Sequence, residues 1–293
     1  MLKGVNLSNC DEILVIGGDS FIGKSLVNFF EGKNLPFNKT SRKSSLDYWY
    51  LDLAVELSLI DLVTKVQEKK ISHVVFLAGI TTELKCQKDT ELSKKINVTN
   101  TCKLLYELQK INVFIVYLSS SQVFNHQRSF IPWNENYSPV TLYGQHKVAV
   151  EQYIKANIPN AAIVRLTKVI GHKFPLFEEI LSKAKNKQEI ELFGNYCAAP
   201  ISLVFVNSFL HEILISKSLG VFQLSGTEDL SYVEMANRLL LRQTLTGKVR
   251  SILAETKGIK PTPYGSLKTN SINKLKIDNQ NFYEVIDDYF RVI

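Results

Sequence analysis

Glu12-Ile13-Leu14-Val15-Ile16-Gly17-Gly18-Asp19-Ser20-Phe21-Ile22-Gly23-Lys24-Ser25-Leu26-Val27-Asn28-Phe29-Phe30 changes character at its glycines. Five residues of strand length, nearly all apolar, run into Gly17-Gly18 and leave Gly23 with a helical pattern. Strand, glycine turn and helix in that order place free helix N-terminal N–H groups and the positive end of a helix dipole where a pyrophosphate can sit. The competing explanation is a plain βα turn, and the flanking sequence decides between them.

Downstream, Leu35-Pro36-Phe37-Asn38-Lys39-Thr40 is expected to be a second strand, ending at Ser41-Arg42-Lys43. In a dinucleotide fold an acidic residue at that strand end binds the ribose hydroxyls of NAD, whereas a basic one accommodates the 2′-phosphate of NADP. Arg42 therefore favours NADP over NAD, a charged loop being the simpler alternative. Tyr48-Trp49-Tyr50-Leu51-Asp52-Leu53 reads as a further strand end, where Asp52 either accepts from an adenine amino group or caps the helix from Ala54 to Lys69. His73-Val74-Val75-Phe76-Leu77-Ala78-Gly79 has the continuous apolar run of a buried parallel strand, closing in small residues that let a flat cofactor approach. His73 itself is read as structural. A helix is expected from about Thr90 to Gln109, with Asn97 unfavourable at its centre and calling for a hydrogen-bonding reason.

The chemistry concentrates between residues 113 and 151. Val113-Phe114-Ile115-Val116-Tyr117 leads into Leu118-Ser119-Ser120-Ser121-Gln122-Val123-Phe124, a buried strand ending in hydroxyls. After Pro139 a helix carries Tyr143-Gly144-Gln145-His146-Lys147-Val148-Ala149-Val150-Glu151. Positions i and i+4 share a helix face, and an ammonium beside a phenol favours phenolate. Tyr143, Lys147 and Ser120 are thus candidates for a proton-transfer site in which the serine orients a carbonyl. The pair alone carries little weight. With 12 tyrosines about one Tyr-x-x-x-Lys arises by chance, and Tyr106/Lys110 and Tyr264/Lys268 have the same spacing. Only Tyr143/Lys147 follows a serine-ended strand. Ala161-Ala162-Ile163-Val164-Arg165-Leu166 completes six alternations, the pattern of a doubly wound parallel sheet.

Bulk composition narrows the remaining options. At 293 residues and 45% hydrophobic content the chain can bury a large core and is not disordered. Its net charge of +7 is spread over many segments, which argues against nucleic acid as a partner. Cys10, Cys86, Cys102 and Cys197 lack metal-site spacing and suit reduced thiols, so no metal and a cytoplasmic location are expected. No stretch reaches the ~18 apolar residues of a membrane span. A dinucleotide-binding domain over residues 1–170 is expected to precede a smaller α+β lobe over 171–293, some of whose elements return to the sheet.

Gly17-Gly18-x-x-Phe21-Ile22-Gly23, Asp52-Leu53, Ala78-Gly79, Asn97-Val98, Ser119-Ser120-x-x-Val123-Phe124, Tyr143-Gly144-x-x-Lys147-x-x-x-Glu151 and Arg165-Leu166-x-x-Val169-Ile170-Gly171 together resemble the extended short-chain dehydrogenase/reductases. The resemblance covers residues 12 to 171. It is nearest to the dTDP-4-dehydrorhamnose reductase-like branch, with looser matches over Gly194 to Val206, Leu224 to Ser231 and Lys260 to Leu267. It implies a Rossmann fold and catalytic roles for Ser120, Tyr143 and Lys147, with Lys147 binding the nicotinamide ribose. It also implies a pyrophosphate site at Gly17, Ser20, Phe21, Ile22 and Gly23, with Leu53, Leu77, Ala78 and Gly79 lying along the cofactor. The implied activity is NADPH-dependent reduction of a keto-sugar nucleotide.

Two positions depart from the family pattern: Ser20 replaces a motif glycine, and Asn207 replaces a common aspartate. Ser121-Gln122 stands where related dehydratases carry Asp-Glu, and Gln122 stands where GDP-fucose synthase-like epimerases carry cysteine. Dehydration is therefore not expected. Sugar-nucleotide epimerisation with the same three residues, or a non-catalytic NADP-binding regulatory subunit, are the alternatives. His172 and Lys173 are candidates for meeting the substrate diphosphate, and homodimerisation through the helices near Thr90 and Tyr143 is expected by analogy.

Overall fold

A computed structural model describes residues 12–43, 45–269 and 279–291. The first part of the chain runs β1 (Glu12–Ile16), α1 (Phe21–Gly32), β2 (Phe37–Ser41), β3 (Trp49–Tyr50), α2 (Glu56–Glu68), β4 (Ile71–Phe76), α3 (Glu83–Lys88), α4 (Thr90–Lys94), α5 (Asn100–Lys110), β5 (Phe114–Ser120), α6 (Leu142–Asn157) and β6 (Ala161–Leu166). It continues with β7 (Val169–Ile170), α7 (Pro175–Lys185), β8 (Ile190–Phe193), β9 (Cys197–Ala198), β10 (Ile201–Ser202), α8 (Leu203–Ser216), β11 (Gly220–Leu224), β12 (Leu230–Ser231), α9 (Tyr232–Arg242), β13 (Val249–Ile252) and α10 (Phe282–Phe290).

Seven parallel strands form one sheet in the order β11-β6-β5-β4-β1-β2-β3. Period-2 alternation sends Leu14, Ile16, Val74, Phe76 and Ile115 to one face, where they pack with α2, α5 and α6. Ile13, Val15, Val75, Val116 and Val164 face the other way, onto α1 and α8. Both faces are buried, which is why these strands read as unbroken apolar runs. The outermost strand, β11, comes from residues 220–224, far beyond the first six. Asn207 on α8, 1% exposed, donates to Ser25 Oγ on α1 at 2.8 Å, so the neutral amide supplies a buried donor that a carboxylate lacks.

A third core, built from Phe177, Ile180, Met235, Leu239, Phe282 and Ile286 with their neighbours, holds the second lobe together. Its strands are short pairs, β7 with β10, β9 with β12 and β8 with β13. The expected single helix from Thr90 is broken by a π turn at Lys95–Thr99. Asn97 is the reason: its Oδ1 accepts from Ile80 N at 2.7 Å and its Nδ2 donates to Ile80 O at 2.9 Å, fixing the loop after β4.

Candidate active site

A cleft of about 930 Å³ opens at the carboxyl ends of β1, β2, β4, β5 and β6, where the strand order reverses between β1 and β4. Such a switch point is where open α/β sheets bind ligands. Gly17, Ser20, Phe21 and Ile22 line one end, Arg42, Asp52 and Leu53 its far rim, and Leu77, Ala78 and Gly79 its floor. Ser120, Tyr143 and Lys147 line its centre. Gly23 lies behind the loop rather than on the cleft wall, and a Cβ there would fall 2.2 Å from Gly17 O. The turn therefore closes onto α1 only with glycine at this position.

Ser20 adopts φ −71°, ψ 170°, extended backbone open to any residue, so replacing the motif glycine costs no strain. Its Oγ accepts from Gly23 N at 3.1 Å as the N-cap of α1, leaving the hydroxyl hydrogen free to donate. Thr40, which sequence patterns did not single out, supports the turn by accepting from Gly17 N at 3.0 Å. Arg42 is exposed at the end of β2, and Ser41 Oγ beside it donates to Asp19 at 2.8 Å. Asp52 Oδ1 accepts from Ala54 N at 2.8 Å in the turn before α2 and does not cap the helix as expected, since α2 starts at Glu56 with Val55 at its N-cap. These residues fit a dinucleotide: a glycine-closed turn, a helix N-terminus and a basic strand end lie along one cleft.

α6 carries Tyr143 and Lys147 into the cleft. Thr141 caps it through Gly144 N at 3.0 Å, and both Glu83 oxygens accept from the backbone of α6, from Leu142 N and Tyr143 N at 3.0 Å each. Gly144 lets this first turn meet the loop after β5, because a Cβ would lie 2.2 Å from Gln122 O. Lys147 Nζ donates to Leu118 O at 2.7 Å and Tyr117 Oη at 3.1 Å, and lies 5.7 Å from the Tyr143 ring centroid. Burial pushes the Lys147 pKa down from 10.5 to about 8, with the Glu151 and Cys86 charges pulling it back up.

Tyr143 corrects a sequence expectation. Burial first, and then the Cys86 charge, raise its pKa well above 10; only a hydrogen bond with Ser120 opposes them. Lys147 Nζ bonds to β5 and not to the phenol, and the lowered Tyr143 pKa expected from the i, i+4 spacing gives way to a raised one.

Behind the site Glu151 and Arg165, both 0% exposed, pair at 2.7 Å. Ser119 Oγ and Tyr137 Oη donate to the same carboxylate at 2.5 and 2.8 Å. On the substrate side, His172 and Lys173 are exposed and do not line the cleft; Lys168, Lys85, His126, Tyr196, Tyr232 and Thr262 do. Lys168 occupies an unassigned position of the Arg165-Leu166-x-x-Val169 motif, and burial lowers its pKa. Tyr196 and Tyr232 pack edge to face at 5.4 Å, and Trp133 contributes only its carbonyl, to Arg165. No group of metal-ligating side chains and no helix long and apolar enough to cross a membrane occurs among the described residues.

A parallel sheet with its switch-point cleft and a Ser–Tyr–Lys constellation defines an extended short-chain dehydrogenase/reductase fold. Residues 11–290 match the model of the RmlD substrate binding domain, and the chain belongs to that family. It is 25% identical over 225 residues, 74% of this chain and 78% of the other, to the spore coat polysaccharide biosynthesis protein SpsK of Bacillus subtilis. It is 25% identical over 163 residues, 51% and 48% of the two chains, to methionine adenosyltransferase 2 subunit beta of Rattus norvegicus. Its fold matches that of a dTDP-4-dehydrorhamnose reductase from Bacillus anthracis solved with NADP, at TM-score 0.85 and 19% identity over 96% and 97% of the chains.

Proposed function

We propose that the protein is an NADPH-dependent reductase of a keto group on a nucleotide-activated sugar. The observation that carries this reading is that Ser120, Tyr143 and Lys147 line the centre of one cleft together with the glycine-closed turn. NADPH, when bound, supplies the hydride. Ser120 orients the substrate carbonyl, and Tyr143 gives its phenolic proton to the developing alkoxide. A raised pKa keeps the phenol protonated at neutral pH, so the proton is present to be given to the alkoxide. Lys147 is an ammonium with three donors of which β5 takes two, leaving one for a ribose hydroxyl. Arg42 would hold the 2′-phosphate of NADP, with Asp19 beside it as the feature that keeps NAD acceptable. Lys168, within the cleft, is the cation best placed for a substrate diphosphate.

Family membership, the polysaccharide biosynthesis relative and the reductase neighbour support the same reading. Tyr143→Phe should lower the rate of NADPH oxidation with dTDP-4-dehydrorhamnose by ~10²–10⁴-fold while leaving NADPH binding, followed by tryptophan fluorescence, unchanged. Likeness to a methionine adenosyltransferase subunit keeps a second reading, a non-catalytic NADP-binding subunit. It is favoured if the wild type binds NADPH yet turns over no keto-sugar nucleotide.

A further inference from the structure

His126 lies on the loop that leaves the serine-ended strand β5 and crosses to the second lobe. Asn125 N donates to Ser138 Oγ at 3.1 Å, and Asn125 Oδ1 accepts from Gln127 N at 3.1 Å, bracketing the histidine. Further along, Phe130 N donates to Ser266 Oγ at 2.8 Å and Lys268 N to Ile131 O at 2.9 Å, so the loop is stitched to the second lobe. Between these anchors His126 takes φ +58°, a left-handed conformation that suits glycine or asparagine better than histidine.

The ring is 4% exposed and lines the cleft, and neither nitrogen makes a well-formed hydrogen bond among the described residues, the Tyr264 backbone offering at most a weak one. Its nearest acidic neighbour is already engaged: Asp229 Oδ1 accepts from Gly265 N at 2.5 Å and Ser266 N at 2.7 Å, and Oδ2 from Ser266 Oγ at 2.8 Å. Burial lowers the His126 pKa, against the Asp229 charge and the nearby Tyr264 carbonyl, which pull it up. His146, by contrast, has a protein partner in Asn97 at 3.4 Å. A neutral imidazole presents one donor and one acceptor, which a single sugar hydroxyl can match from its own donor and acceptor. A phosphate offers acceptors only and would leave the second nitrogen unmatched.

We propose that His126 recognises a hydroxyl of the substrate's sugar at the second-lobe side of the cleft and so helps determine which sugar is accepted. This rests on the nucleotide-sugar reading above. The test is calorimetric titration of wild type, His126→Gly and His126→Asn with dTDP, dTDP-rhamnose, UDP and UDP-glucose, with a Tm for each variant. Glycine relieves the left-handed backbone, so His126→Gly should keep or raise Tm. Its affinity for free dTDP and UDP should be unchanged, while the sugar nucleotide that wild type prefers should bind about tenfold more weakly. His126→Asn, which carries a donor and an acceptor and tolerates the same φ, should recover part of that loss. Undiminished sugar-nucleotide binding in His126→Gly overturns the proposal, as does an equal weakening of nucleotide and sugar nucleotide together with a fallen Tm. Wild type that binds none of the four probes overturns the nucleotide-sugar reading and this proposal with it, an outcome distinct from the histidine alone failing.

Discussion

Lys147 and Arg165 both lie against the inward face of α6, Arg165 fully buried and Lys147 part-buried on the cleft wall, and their surroundings differ in kind. Arg165 spends its guanidinium on Glu151 through Nε and Nη2, and on Trp133 O and Gln223 through Nη1. Gln223 in turn donates to Ile131 O and Lys268 O at 2.9 Å, so the network joins β5, α6, β6, β11 and the second lobe. Lys147 has two neutral partners, no bonded carboxylate, and a pKa lowered to about 8. A cation that is fully paired serves the scaffold, whereas one part-buried and incompletely paired is poised toward a ligand. One turn of helix separates Lys147 from Glu151, so the two regimes share a single rigid support.

The sharpest way to break this contrast is Glu151→Ala. It strands a guanidinium at 0% exposure and removes the acceptor used by Ser119 and Tyr137. About 3–5 kcal/mol of stability should be lost in urea denaturation, the range for uncovering one partner of a buried pair. Removing both charges, as Glu151→Leu with Arg165→Met, should recover most of it, since apolar replacements of such pairs are often neutral. A single-variant loss below about 1 kcal/mol would mean that the pair is not a structural anchor.

Lys147→Met should act in the opposite direction. The native pKa near 8 lies below the ordinary 10.5, so between these values the unfolded chain binds more protons and wild-type stability rises with pH. Below pH 8 the folded protein bears the cost of a partly desolvated ammonium, at most roughly 3 kcal/mol by the conversion of pKa to free energy and less because Lys147 faces the cleft. Loss of the contacts to Tyr117 and Leu118 offsets part of the relief, so the variant should be more stable than wild type by about 1–2 kcal/mol at pH 7. The gap should narrow toward pH 10, and NADPH affinity should fall at every pH. An Arg165→Met variant should show no such trend, because the guanidinium it removes stays charged throughout. A pH-independent gap for Lys147→Met would place Lys147 in the same class as Arg165.

The two regimes were unequally visible in sequence. Cofactor-side residues announced themselves because backbone needs select residue types locally: Gly23 must clear Gly17 O within six residues, and Ala78-Gly79 ends a strand that is apolar throughout. The Tyr143/Lys147 pair was legible from its helical spacing, but its electrostatics were not. The direction of the Lys147 side chain depends on Tyr117 and Leu118, thirty and twenty-nine residues away, and burial raises the Tyr143 pKa where the spacing alone pointed to a lowered one. Likewise Glu151 and Arg165 stood in quoted motifs without any sign that they pair, and Gln223 joins them from 58 residues beyond Arg165. The substrate side was least legible. His172 and Lys173 stood out as a basic pair, yet Lys168 and His126 occupy the cleft through loop geometry that no periodicity encodes.

The smallest expected effect concerns how α6 is held rather than what it carries. Glu83 reaches from α3 to take Leu142 N and Tyr143 N, while Gln87 donates to it at 2.8 Å, so an anion sits at the positive end of the helix. Glu83→Gln keeps one acceptor oxygen and turns an amide donor toward an N–H, costing about 1 kcal/mol of stability. Because the Tyr143 backbone is one of the two groups held, turnover should drop a few-fold through misplacement of the phenol, with NADPH binding at Gly17–Gly23 untouched. Thr141→Ala is the control, since it removes the other cap, at Gly144 N, for a similar stability cost. Equal losses of turnover in the two variants would trace the effect to fraying of the α6 N-terminus; a larger loss in Glu83→Gln would make Glu83 the residue that positions Tyr143.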